Sequence, residues 1–291
     1  MIAVHGAHAW LPRCAPPARA SVRRLSLWVG MSLRDDTIRL VHEDEDFFFV
    51  HKPHGVVVAG DGSSDTFHEQ VKRHARVHYA CDALNLLHRL DKGTSGVMVY
   101  AKSAEAAKYY LRLQDQRGAI TKDYLAVVRG APPRAAGRVA GGICPSRDRT
   151  SYVIRGKGSG KAVLTTYRLL ASECHSRLGK LSGLSLRLFS GRKHQIRASC
   201  RHLGCPIVGD DRYGGPAYGA MLLHARRSAF VGRNGQPYDV SCDPLWTDDS
   251  LWREPEDAAF FAGLLASLGA EGAVDSTDAG ERIISAVDPC T

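Results

Sequence analysis

No stretch of this chain approaches the roughly 18 uninterrupted apolar residues that a helical membrane span requires. Its longest apolar runs, such as 97–101 and 124–128, are strand-sized. A disulfide framework is missing as well. The eight cysteines stand at 14, 81, 144, 174, 200, 205, 242 and 290, and no two form Cys-x-x-Cys. Such scatter reads as thiols of a reducing compartment. Cys200, His202 and Cys205 lack a fourth ligand at motif spacing, and His68-Glu69 with His74 and His78 is not His-Glu-x-x-His. No metal is therefore expected. A phosphate loop is absent too, since Gly156 to Lys161 is flanked by Arg155 and Ala162 where Gly and Ser or Thr are required. Gly-x-Ser-x-Gly does not occur, which removes that hydrolase motif. The first 34 residues hold five Arg and no acid, and no secretory apolar core stands beside a cleavage site, so export is not expected.

What is present is a globular composition: 291 residues, 44% apolar and 24% charged. That is enough chain for one large or two modest domains. The net charge of +9 is unevenly spread. Residues 242–291 carry eleven acids against Arg253 and Arg282. The +5 of the N-terminal segment and the −9 of that tail leave +13 on residues 35–241. A basic body points to a polyanion, most often nucleic acid.

Residues 1–36 have no apolar period and read as a basic extension or, being Arg-rich and acid-poor, a transit peptide. The compartment is accordingly cytoplasmic, or mitochondrial if that segment is an import signal. Ordered structure is expected over 37–268, followed by an acidic tail at 269–291. Strands are expected at 38–42, 46–52, 86–91, 96–101, 122–128, 162–170, 184–189 and 222–231, the last closing the core. Helices are expected at 66–79, from a Ser103 cap to 116, at 194–202 and at 256–268. Strands in runs with helices between them, without strict alternation, indicate an α+β fold.

Three polar clusters can carry chemistry. In His88-Arg89-Leu90-Asp91-Lys92-Gly93-Thr94-Ser95-Gly96, an Asp between two cations at a strand end is favoured in its ionised form. The same arrangement can equally be an ion pair pinning a turn. In Ser190-Gly191-Arg192-Lys193-His194-Gln195-Ile196-Arg197, a basic helix start suits phosphate. Arg197 flanks the apolar stripe of Ile196, Cys200 and Leu203, and turns inward only if a carboxylate meets it. In Lys122-Asp123-Tyr124-Leu125-Ala126, Tyr124 is either core or a ring for a base to stack on.

Taken in order, these clusters resemble the RluA-type RNA pseudouridine synthases. His88-Arg-Leu-Asp91-x-x-Thr94-Ser95-Gly96 is similar to the family signature. Lys52-Pro53-x-Gly55, Lys122-x-Tyr124-x-Ala126, Lys161-Ala162-x-x-Thr165, Gly191-Arg-x-His194-Gln195-Ile196-Arg197, Gly209-Asp210-x-x-Tyr213-Gly214 and Leu223-His224-Ala225 resemble its other blocks. The resemblance covers about residues 40–232. Two positions depart from it: Gly93, where an acid is common, and Ser228, where an apolar residue is expected. The N-terminal S4 domain of many relatives has no counterpart in residues 1–36.

The resemblance implies a mixed, largely antiparallel sheet with flanking helices around an RNA-binding cleft, and a cofactor-independent isomerisation of uridine in tRNA or rRNA. It assigns the catalytic residues as Asp91, the essential carboxylate, Arg197, its basic partner, and Tyr124, which would stack on the base and help remove the C5 proton. Arg89 would hold the flipped nucleotide and Leu223 would pack on the uracil. His88, Thr94, Arg192, His194 and Gln195 would complete the substrate site. A monomer with RNA as its partner, without membrane, cofactor or metal, is the expectation. The rival readings are a catalytically idle RNA-binding protein of the same fold and, more weakly, a glycosidase, which usually requires two carboxylates.

Overall fold

The computed structural model describes residues 38–60, 65–156, 158–246, 259, 260, 262, 263 and 266. The expected extension at 1–36 and tail at 269–291 lie outside the described residues. Of the helix expected at 256–268, the five described positions are helical.

The chain opens with a hairpin of β1 (Arg39–Glu43) and β2 (Phe47–Lys52). Asp44 Oδ1 shapes its turn by accepting from the backbone N–H groups of Asp46 and Phe47 at 2.9 and 2.8 Å. α1 (Phe67–Tyr79) begins at a Thr66 cap, and α2 (Ala104–Asp115) follows β3 (Asn85–Leu86) and β4 (Ser95–Ala101). Ser103 Oγ caps α2 by accepting from Ala106 N–H at 3.1 Å. Then come β5 (Thr121–Arg129), β6 (Ala136–Pro145), β7 (Tyr152–Arg155), β8 (Lys161–His175) and β9 (Gly179–Leu188). α3 (Gln195–His202) precedes β10 (Leu223–Val231) and β11 (Pro237–Ser241).

These strands make one mixed sheet in the order β1-β2-β4-β10-β5-β9-β8-β6-β7, with β3 beside β4 and β11 beside β10. Only β4 and β10 run parallel. The fold is α+β, as the spacing of elements predicts. Along β2 and β4 every residue is buried, because both faces of the sheet are covered and the period-two pattern feeds two cores. Phe48, Val50, Met98 and Tyr100 pack with Tyr124, Ile196, Tyr213 and Leu223 on one side. Phe47, Phe49, Val97 and Val99 pack with Tyr110 of α2, Phe230 and Tyr238 on the other. Burying each Phe contributes about 1.5–3 kcal/mol.

Two expectations need correction. The strand at 86–91 is reduced to Asn85–Leu86. Beyond it Leu87 and Leu90 are buried, and His88 Nε2 accepts the Val99 N–H at 3.1 Å where a strand backbone would have done so. The core does not end at β10, because β11 adds Tyr238 and Val240 beyond it; Pro237 and Asp239 disguise that strand. The Gly- and Arg-rich stretch ahead of β8, to which the sequence assigns no element, forms the β6–β7 hairpin.

The sheet forks at β10. Its first residues pair with β4, His224 with Ser95 and Ala225 with Gly96, while Arg227–Val231 pair with β11. Gly96 makes the fork possible: its φ is +122°, and a Cβ there would lie 2.2 Å from the Ala225 carbonyl oxygen. Gly96→Ala should therefore lower stability by about 1–3 kcal/mol from backbone conformation alone, and by more once the clash is added. Chemical denaturation checks this; a variant as stable as the parent would contradict the fork geometry.

Candidate active site

The loop that follows β3 carries Asp91 past the edge of β4. A turn closes it, with Thr94 N–H donating to the Asp91 carbonyl at 3.0 Å. Lys52, at the end of β2, holds it from below. Its Nζ donates to the carbonyl oxygens of Pro53, Lys92 and Thr94 at 2.8, 3.2 and 2.9 Å. The Lys92 carbonyl also accepts the Gly55 N–H at 2.8 Å. Lys52 is fully buried. Burial pulls its pKa down to about 7, and the charge of Asp91 acts in the opposite direction. Met221 packs on the other side of the loop. A Cβ on Gly93 would come within 3.2 Å of Met221 Cε, so a side chain there would require Met221 to give by a few tenths of an ångström.

Arg197 reaches the loop from α3. Its Nε and Nη2 grip both oxygens of Asp210 at 2.7 Å each, and its guanidinium lies over the Tyr213 ring at 4.8 Å. Its third nitrogen, Nη1, donates to Asp91 Oδ2 at 3.1 Å. Burial works against the Arg197 charge, but Asp210 and then Asp91 outweigh it and raise the pKa. The two acids differ in exposure: the Asp210 side chain is 1% exposed and that of Asp91 28%. Among the described residues, no group hydrogen-bonds Asp91 Oδ1. A carboxylate fixed through one oxygen and open at the other is suited to act on a ligand lying above it.

His194 caps α3 in the left-handed conformation, φ +56°. Its Nδ1 pairs with the Tyr213 hydroxyl at 3.0 Å, and its Nε2 stands 3.7 Å from Asp91 Oδ2, too far for a hydrogen bond. Burial lowers its pKa, partly countered by Asp91. Tyr213 also accepts the Tyr152 N–H at 2.9 Å, which joins the β6–β7 hairpin to the site.

Tyr124 is buried on β5, paired with Ala225 and Leu186. Burial, and after it the charge of Asp91, raises its phenol pKa. Both effects favour the neutral phenol. Tyr124 shares a small cavity with His88, Val97, Lys122, Ala225, Arg227 and Ser228. Burial takes Lys122 down to about 8 there and His88 to about 3. Leu223 is buried in the same core as Tyr124.

The other sequence-predicted residues divide in two. Arg89 and Arg192 are exposed, as substrate-reaching cations must be. Thr94 and Gln195 are buried. The Gln195 amide is engaged within the protein: its Nε2 donates to the Leu164 carbonyl and Thr165 Oγ1, and its Oε1 accepts from the Ser190 hydroxyl and the Arg192 N–H. Sequence reasoning gave no role to Asp210, Tyr213 or Lys52, although all three lie in the matching blocks. The signal available for Asp210 is the requirement of an inward-turned Arg197 for a carboxylate partner.

The ion pair gives a direct prediction. Arg197→Met strands the buried carboxylate of Asp210 and should lower stability by about 3–5 kcal/mol. Arg197→Met combined with Asp210→Leu should recover most of that loss, whereas Arg197→Met with Asp91→Asn should not. Denaturation of the three variants tests this. Recovery through Asp91 in place of Asp210 would reverse the assignment of the buried partner.

Comparison with known proteins agrees with the geometry. Residues 46–202 match the family described as RNA pseudouridylate synthase. Among curated relatives, "RNA pseudouridine synthase 4, mitochondrial" of Arabidopsis thaliana is 30% identical over 72% of this chain and 46% of its own length. "Ribosomal large subunit pseudouridine synthase C" of Rickettsia felis is 32% identical over 68% of this chain and 64% of its own. "Ribosomal large subunit pseudouridine synthase D" of Yersinia pestis is 36% identical over 60% and 52%. The chain thus spans about half to two thirds of the length of these relatives. The solved human RNA pseudouridylate synthase domain containing 4 superposes with a TM-score of 0.59 at 26% identity, covering 79% of this chain and 92% of that one. With a match across more than half its length, with the same fold, and with the signature carboxylate meeting the signature arginine, the chain belongs to the RNA pseudouridylate synthase family.

Proposed function

We propose that this protein isomerises uridines in RNA to pseudouridine, with Asp91 as the essential carboxylate. The observation that carries the reading is the half-held state of Asp91: Arg197 bonds Oδ2 at 3.1 Å while Asp210 fixes Arg197 from behind. In the reaction the N1–C1′ bond breaks, the uracil turns and C5 bonds to C1′; C5 loses a proton and N1 gains one. The target must first leave the base stack. Asp91 would then lie below the ribose, attacking C1′ or taking a proton from C2′. Tyr124 and Leu223 would hold the uracil as an aromatic and apolar wall, and Arg89 and Arg192 would meet phosphates. The raised phenol pKa of Tyr124 supports a stacking role.

Two rivals fare worse. A glycosidase needs a second usable carboxylate, and Asp210 is buried with both oxygens bonded to Arg197. An idle RNA-binding protein has no need of an acid held open. The catalytic domain in this reading is 37–268, acting as a monomer. Large-subunit ribosomal RNA, which the names of several relatives mention, is the first substrate to assay, and tRNA the second. Residues 1–34 fused to a reporter decide the compartment: import marks a mitochondrial transit peptide, a diffuse signal a cytosolic protein.

Asp91→Asn keeps size and hydrogen-bonding shape while removing the charge that both routes require. Pseudouridine formation should vanish, while RNA affinity and thermal unfolding stay near those of the parent. A tritium-release assay reads the outcome; a variant that still turns over many equivalents of RNA would remove Asp91 from the reaction.

A further inference from the structure

Behind the Asp91 loop, on the reverse face of the sheet, three buried side chains with metal-ligating atoms converge. His51 precedes Lys52 on β2 and so points away from the loop that Lys52 supports. His224 stands between Leu223 and Ala225 on β10, whose side chains face the Tyr124 core. Cys242 follows β11, its N–H donating to the Arg226 carbonyl at 2.9 Å. The three residues are 5%, 0% and 7% exposed, and one ligand atom from each lies within 4.8 Å of the other two. Cys242 Sγ is 3.7 Å from His224 Nε2, close to the ligand–ligand edge expected around a tetrahedral zinc with bonds of about 2.0 Å to nitrogen and 2.3 Å to sulfur.

Two further observations point to a ligand. His51 Nε2 is buried with no hydrogen-bond partner, and a buried imidazole nitrogen left unpaired needs an explanation. His224 also carries the support that a ligating histidine requires, because its Nδ1 lies 2.8 Å from Ser95 Oγ. An outer hydrogen bond of that kind fixes ring orientation and tautomer when Nε2 is given to a metal. His224 Nε2–H donates to the Cys242 carbonyl oxygen at 2.9 Å; zinc would replace that bond, with the ring proton moving to Nδ1 beside Ser95 Oγ and the carbonyl at hand for a fourth position.

We propose that His51, His224 and Cys242 form a zinc(II) site that clips β2, β10 and the segment after β11 together beneath the catalytic loop. On binding, the Cys242 thiol releases its proton to solvent and the thiolate balances part of the ion's charge. No electron is transferred. The set of two imidazoles and one thiolate suits this borderline-soft ion better than magnesium or calcium, which take oxygen ligands. The site is separate from the chemistry at Asp91. It acts on stability and, through Ser95, on the base of the loop.

The full-length chain, freed of metal with a chelator, is titrated with cobalt(II) and then zinc(II). One equivalent of cobalt should produce a thiolate-to-metal charge-transfer band and strong tetrahedral visible bands, and one equivalent of zinc should abolish them. At zinc roughly a hundredfold above its dissociation constant, the unfolding midpoint should rise by about 5–10 °C. Cys174→Ser, at an exposed thiol, should keep both responses. Cys242→Ser should lose the charge-transfer band, and His51→Gln the full-equivalent binding and the thermal shift. His51→Gln retains a polar side chain of similar reach and serves as the deciding variant if Cys242→Ser fails to fold. Absence of the band, or a band and thermal shift that survive His51→Gln, would overturn the site.

Discussion

The candidate active site depends on one buried ion pair, that of Arg197 with Asp210. A guanidinium drawn out of water from a helix must be met by charge, and Asp210 meets it with both oxygens. The consequence is directional. With two of its donors fixed and its plane resting on Tyr213, Arg197 has one orientation in which to present Nη1 to Asp91. A planar, bidentate clamp of this kind cannot be reproduced by lysine, whose ammonium is a point charge. Stability and site geometry are therefore coupled through the same side chain. The carboxylate that secures the fold is not the one proposed to react.

A second constraint acts on the loop itself. Asp91 lies on irregular backbone, and irregular backbone beside a packed sheet must find partners for its carbonyl groups. Lys52 supplies three donors at once, and Gly96 lets β4 turn under the loop to meet β10. Loop, strand fork and helix thus meet at a single point. The Tyr213 hydroxyl extends the arrangement to His194 and to the Tyr152 backbone.

Much of this was legible in the sequence, for identifiable reasons. Helix caps at Thr66 and Ser103 and the apolar runs of β2 and β4 are local signals, and they mark their elements within a residue or two. The ordered motifs pointed to Asp91 and Arg197 because polar clusters at element ends stand out against an apolar frame. Long-range pairing was not legible. β6 is held between β8 on one edge and β7 on the other, with Gly141 letting the Arg155 backbone approach and Gly142 that of Ser159. Asp210 reads as a turn residue until the fold carries it against α3. His51, His224 and Cys242 share no spacing at all, since their proximity is made by sheet order.

The central claim is that Asp210 acts on chemistry only by fixing how Arg197 holds Asp91. The most direct measurement is single-turnover pseudouridine formation by Asp210→Asn, with RNA saturating and at a temperature where the variant is folded. The account predicts a rate lowered by about tenfold or more with RNA affinity unchanged, because one hydrogen-bonded clamp on a reacting group is worth about 1.5–3 kcal/mol. A folded Asp210→Asn protein with the parental rate would contradict it.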